Sequence, residues 1–103
     1  MPFPAYAERW RIARLITWAP ETRRRIESNI RLHLAPAFSG TVRGITQTDV
    51  LLWLAQELAA AVPPSSLRLY FELFDTIMAA AVTDKVIPDN PCDGIRLPRC
   101  SGA

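Results

Sequence analysis

The sequence predicts an all-α fold, a compact bundle of four helices arranged around one central helix. Three observations carry this. Between Pro64 and Pro91, apolar side chains at Leu67, Tyr70, Phe71, Phe74, Ile77, Met78, Ala81 and Val82 keep the i, i+3, i+4, i+7 spacing of one helix face for four turns. The period-2 alternation of a half-buried strand is found nowhere in the chain. Proline and glycine cut the rest into segments of helical length.

The first helix is expected over residues 4–17. Tyr6, Trp10, Ala13 and then Ile16 or Thr17 mark its apolar face, and Glu8, Arg9, Arg11 and Arg14 mark the other. Glu8 and Arg11 are spaced to pair across one turn. Trp10 lies on the apolar stripe and reads as a core anchor rather than a ligand platform. Trp18-Ala19-Pro20 interrupts, and Pro20 suits the first position of a second helix, with Glu21 favourable to its dipole. This helix runs to about Leu34, with Ile26, Ile30 and Leu34 as a core-facing ridge, and Pro36 stops it. Phe38 is expected to fold back on the core. Ser39 to Gly44 reads as a loop. Thr46 then caps a third helix, with Asp49 completing a capping-box-like start. Val50, Trp53, Leu54 and Leu58 form its buried stripe, and it ends in the run Ala59–Ala61. The central helix opens at Pro63, Pro64, Ser65 and Ser66 and spans about 20 residues. Leu69 and Leu73 are expected to widen its apolar face. Pro88 and Asn90-Pro91 end it.

With 103 residues, half of them hydrophobic, the chain suits one domain with a core of normal size. Residues 1–91 are read as the helical domain. Residues 92–103, with Gly94 and Pro98 and no periodicity, are read as a linker toward a further module. No apolar run is long enough to cross a membrane and no signal peptide is recognisable, so a cytoplasmic protein is expected. Cys92 and Cys100 are read as two reduced thiols, because a metal site wants more ligands than these and the lone His33. His33 itself, next to Leu34, reads as a partly buried structural histidine. Phosphate-binding glycine loops, a Ser/His/Asp set and paired carboxylates in an apolar setting are all missing. No catalytic residue and no cofactor is therefore assigned.

The net charge of +2 conceals an asymmetry. Residues 1–45 carry eight arginines and three acids, and residues 46–95 carry two basic residues and seven acids. A positive end of this kind can meet phosphate, although it also suits a merely solvated dipolar surface. Arg23, Arg24 and Arg25 crowd the start of the second helix. There they oppose the helix dipole and gain nothing in helix stability, unless a phosphate approaches the same N–H groups. Thr22 to Arg25, and Ser65, Ser66 and Arg68, are the two places where basic and hydroxyl residues meet a helix start.

The ordered set of signals resembles the core-binding, SAM-like domain of the tyrosine recombinase (phage integrase) family. The residues concerned are Trp10, the Thr22-led helix, the run Arg31–Pro36 with His33 and Leu34, Phe38 and Gly40, Ile45-Thr46 with Asp49-Val50, Ala81, and the ending Val86 to Pro91. The resemblance covers about residues 4–98. It implies an orthogonal four-helix bundle forming one half of a clamp on double-stranded DNA at a recombination core site. It also implies a separate catalytic domain elsewhere and contacts to other recombinase protomers. Carried over residue by residue, the family's DNA contacts fall on Thr22 and Arg25 and on Ser66 and Arg68, with Arg23, Arg24 and Ser65 adjacent. Glu21 departs from the pattern. No membrane or small-molecule partner is implied. Two other readings compete. One is a helical protein-interaction module without DNA binding, with Trp18, Trp53 or Phe38 exposed as a patch. The other is a helix-turn-helix regulator, against which stand the acidic character of the long helix beyond Arg68 and the lack of a short Gly turn leading to a basic helix.

Overall fold

A computed structural model describes residues 1–97. Its four α-helices are α1 (Phe3–Arg14), α2 (Pro20–Asn29), α3 (Gln47–Ala59) and α4 (Pro64–Thr83), and no strand is present among the described residues. The chain is thus an all-α four-helix bundle. α4 spans 20 residues and packs against α1, α3 and the end of the second helical segment. Phe74, Ile77, Met78 and Ala81 are fully enclosed along it, with Leu67 and Phe71 nearly so. Phe74 is the hub of an aromatic cluster, its ring 4.5 Å from Phe38, 5.3 Å from Phe3 and 5.7 Å from Trp53.

α1 begins one residue earlier than the sequence suggests and its buried face is Phe3, Tyr6, Ala7 and Trp10. Ala13, Ile16 and Thr17 are exposed, contrary to expectation. For Ile16 and Thr17 the cause is a change of helical phase: α1 ends at Arg14, and Leu15–Thr17 form a 3₁₀ turn that points Ile16 outward. Phe3 is secured from the loop, because its N–H donates to the Gly40 carbonyl at 2.8 Å while Val42 N–H donates to Met1 O at 2.9 Å. The segment read as a loop therefore holds the chain start against the core. Tyr6 joins α1 to the far end of α4 by donating its hydroxyl to Asp84 at 2.7 Å.

α2 does not continue as an α-helix to Leu34. Residues Ile30–Leu34 form a π turn, with Ala35 N–H donating to the Ile30 carbonyl at 2.8 Å. Pro36 supplies the reason. In a continued α-helix its ring would press on the Leu32 carbonyl and offer it no N–H, and the chain leaves α geometry just before it. Ile30 and Leu34 stay buried and Ile26 packs against the core.

α3 starts as the sequence indicates. Thr46 Oγ1 accepts from Asp49 N–H at 3.2 Å, and Asp49 Oδ2 accepts from Thr46 N–H at 3.0 Å. Val50, Trp53 and Leu54 are buried, but Leu58 is 62% exposed and lies outside the buried stripe. Leu69 of α4 is likewise 52% exposed and does not widen the apolar face. Both helices close without glycine. Ala61 and Lys85 take left-handed backbone, each with φ of 62°. Val62 N–H then donates to Glu57 O at 3.1 Å and Val86 N–H to Ala81 O at 2.9 Å, so each end is a Schellman turn.

After α4 the chain stays attached. Ile87 and Cys92 are buried, and Ile95 and Leu97 pack against the core. Asn90 is the fastening: its Nδ2 donates to Asp75 Oδ1 at 2.7 Å, and its Oδ1 accepts from Cys92 N–H at 2.9 Å. Gln47 Nε2 adds a bond to the Asp93 carbonyl at 2.8 Å. The stretch read as linker from residue 92 is thus docked as far as Leu97. Its remainder, with Cys100, lies outside the described residues.

Candidate nucleic-acid interface

Helices α2 and α4 open in the same way. Each has proline at its first position, after Ala19 and Pro63 in extended backbone, and neither has a side-chain cap. The first-turn N–H groups of Glu21 and Thr22, and of Ser65 and Ser66, therefore meet no capping oxygen, unlike those of α3. Such helix ends favour anions.

The residues singled out from the sequence stand as follows. Arg24 and Arg25 are exposed on α2, and among the described residues neither carries a hydrogen bond or ion pair. Arg23 is different. It is half-buried, and its Nε donates to the Leu15 carbonyl at 2.8 Å, tying the first turn of α2 to the preceding 3₁₀ turn. Thr22 and Arg25 line one side of a groove of about 340 Å³, with Leu69, Glu72, Leu73 and Thr76 of α4 opposite. Ser65 is exposed and Ser66 half-buried at the start of α4, and neither lines that groove. Arg68 sits 3.7 Å from Glu72 across one helical turn. The structure thus brings Thr22 and Arg25 up to the flank of α4, and Glu72 stands between them and Arg68.

Glu72 is the groove residue that sequence reasoning did not place. Its spacing from Arg68 was the available signal, since i, i+4 pairs meet on a helix surface. Its carboxylate, with Glu21 on the first turn of α2, moderates the positive potential there. Other arginines of the basic half are also engaged: Arg11 with Glu8, and Arg31 with Glu27 at 3.2 Å. The bond between Arg11 and Glu8 holds the Glu8 carboxyl below its ordinary value. Arg9, Arg24, Arg25 and Arg43 keep their charge uncompensated by any ion pair among the described residues.

His33 stacks on Tyr70, ring centroids 4.0 Å apart, with Nδ1 3.8 Å from Glu57 Oε2. The other oxygen of Glu57 accepts from Trp53 Nε1 at 3.2 Å. The histidine thereby fixes the π turn to both α3 and α4. Phe38 and Trp53 are buried and Trp18 is half-buried against Trp10, so these three form no exposed aromatic patch. Among the described residues no three His, Cys, Asp or Glu side chains converge as a metal site would require, and no helix is long and apolar enough to cross a membrane. Comparison with protein families, with curated proteins and with solved structures finds no match to this chain.

Proposed function

We propose that this chain is a DNA-gripping half-clamp, the core-binding part of a tyrosine recombinase whose catalytic residues lie in a separate domain. The observation that carries the reading is the paired, proline-led, uncapped helix starts with arginine and hydroxyl groups beside them. N–H groups, Arg24, Arg25 and the Thr22, Ser65 and Ser66 hydroxyls would take phosphate oxygens and set the register on the duplex. Arg25 or Arg68 reaching a guanine edge would add about 1–3 kcal/mol of sequence discrimination. Arg23 contributes mainly by holding the α2 start in place. Binding by one half-clamp alone is weak, because a tethered second half is what raises the effective concentration. Neighbouring protomers on the same DNA, and a cytoplasmic setting, belong to the same proposal.

The test is a backbone-amide NMR titration with a duplex of about two helical turns at low salt, since phosphate-dominated affinity falls steeply as salt rises. Shifts concentrated at Thr22–Arg25 and Ser65–Leu69, erased by salt and by the double variant Arg24→Gln/Arg25→Gln, are expected. No shift at low salt, or shifts spread evenly over every arginine, would overturn the assignment. A second reading has its own support. α3 exposes Leu51, Leu52 and Leu58 at 47%, 56% and 62%, an apolar outer face that suits a helical protein-interaction module. Failure of the DNA titration would transfer weight to it.

A further inference from the structure

On the side of the bundle where α1 meets the end of α4 lies a cleft of about 430 Å³ that the DNA reading does not use. Tyr6, Arg9, Trp10, Arg14, Asp84 and Val86 line it. Its volume falls within the range of small-molecule sites. Trp10 and Val86 supply apolar wall.

The polar groups of this cleft are unusually placed. Trp10 is 5% exposed, and its Nε1 is the one buried side-chain polar atom among the described residues that lacks a hydrogen-bond partner. Arg14 stands over the same indole, its guanidinium carbon 5.0 Å from the ring centroid, with no ion pair among the described residues. Arg9 is exposed and likewise unpaired. Asp84 is the one acid in the wall, and one of its oxygens already accepts the Tyr6 hydroxyl. Both guanidiniums act on Tyr6 through space, opposing the larger effects of burial and of Asp84. The cleft thus combines two available cations with apolar wall from Val86 and the edge of Trp10.

From this geometry we infer that the cleft between α1 and the α4 terminus binds a small organic anion with a flat apolar body, of the aromatic carboxylate class. The carboxylate lies between Arg9 and Arg14, which are suited to grip it in bidentate fashion. The ring lies against Val86 and the exposed edge of Trp10. Arg14 is held over the indole by the ring alone, so turning toward a carboxylate breaks no hydrogen bond. The assignment is independent of DNA binding, because it shares no residue with the two helix starts.

The test titrates the ¹⁵N-labelled chain with benzoate, benzamide and inorganic phosphate in separate series, following the Trp10 indole N–H and the Arg9 and Arg14 signals. Benzoate is expected to shift them saturably with a dissociation constant of about 1 mM, as suits so small a ligand. Benzamide and phosphate are expected to bind at least about tenfold more weakly, each lacking one half of the complementarity. Arg9→Gln and Arg14→Gln, both exposed changes, should each weaken benzoate by about tenfold through loss of a charge-assisted contact. Four results would overturn the inference: no saturable shift with benzoate, equal binding of benzamide, equal binding of phosphate, or unchanged binding in both variants. A DNA duplex moving the same signals would also overturn it, by making the cleft part of a nucleic-acid surface.

Discussion

Replacing Ala61 by glycine should stabilise this protein, while the same change one residue earlier should destabilise it. Ala61 holds φ of 62° and Ala60 holds −81°. Left-handed backbone costs an L-residue about 1–2 kcal/mol, and glycine removes that cost while losing about 0.5–1 kcal/mol of extra chain entropy on folding. The balance favours Ala61→Gly by about 0.5–1 kcal/mol, and Lys85→Gly, at the same φ, by a similar amount. Ala60→Gly meets only the entropic cost and loses about 0.5–1 kcal/mol. The two left-handed sites flank a helix of 20 residues, about 30 Å long, so their effects should add. The double variant then gains about 1–2 kcal/mol, near 4–8 °C in Tm for each kcal/mol in a domain of this size. Urea unfolding followed by helical circular dichroism reads all four variants against the wild type. If Ala61→Gly lowers the midpoint as Ala60→Gly does, the Schellman geometry assigned to the end of α3 is wrong.

Three further outcomes are expected. Phe74→Ala should cost about 3–5 kcal/mol through cavity formation and lost ring contacts, a large part of the ~5–15 kcal/mol typical of a domain, and a matching fall in urea midpoint checks it. Burial, aided by Asp84, pushes Tyr6 up to about 12, and burial, aided by Asp75 and Asp93, does the same to Cys92. Both folded values lie above the unfolded ones, so the stability they confer is complete below about pH 9 and is lost as pH climbs toward 12. Urea midpoints across that window should fall for the wild type and fall less steeply for Tyr6→Phe and for Cys92→Ala. Asn90→Ala removes the bridge between Asp75 and Cys92 N–H and should cost about 1–2 kcal/mol. In a Cys100→Ser background it should also speed iodoacetamide labelling of Cys92, and an unchanged labelling rate would show that Asn90 does not fasten this segment.

The helices themselves were legible because their signals are local. The apolar stripe of α4, the Thr46–Asp49 box and the proline starts each act within one or two turns. What escaped depends on neighbours. Leu58 and Leu69 belong to apolar sequence but face solvent, since the pattern gives the phase of a helix and not the width of its buried sector. Phe3 was missed because its burial depends on pairing with Gly40, far along the chain. The left-handed stops at Ala61 and Lys85 carry no glycine to announce them. At the candidate interface, sequence located both helix starts, but the inward use of Arg23 and the intrusion of Glu72 required packing to be known.

The π turn at Ile30–Leu34 also bears on how long this segment can be. A π turn holds one residue more than the α turn it replaces. Deleting one residue here would convert it to an α turn of nearly the same total rotation, so the chain that follows would keep its direction. Phe38, stacked on Phe74, and the Gly40–Val42 clasp on the chain start would thus stay on the same side of the bundle. A single-residue deletion within the π turn should therefore be better tolerated than one inside the α-helices, where all that follows would turn by about 100°.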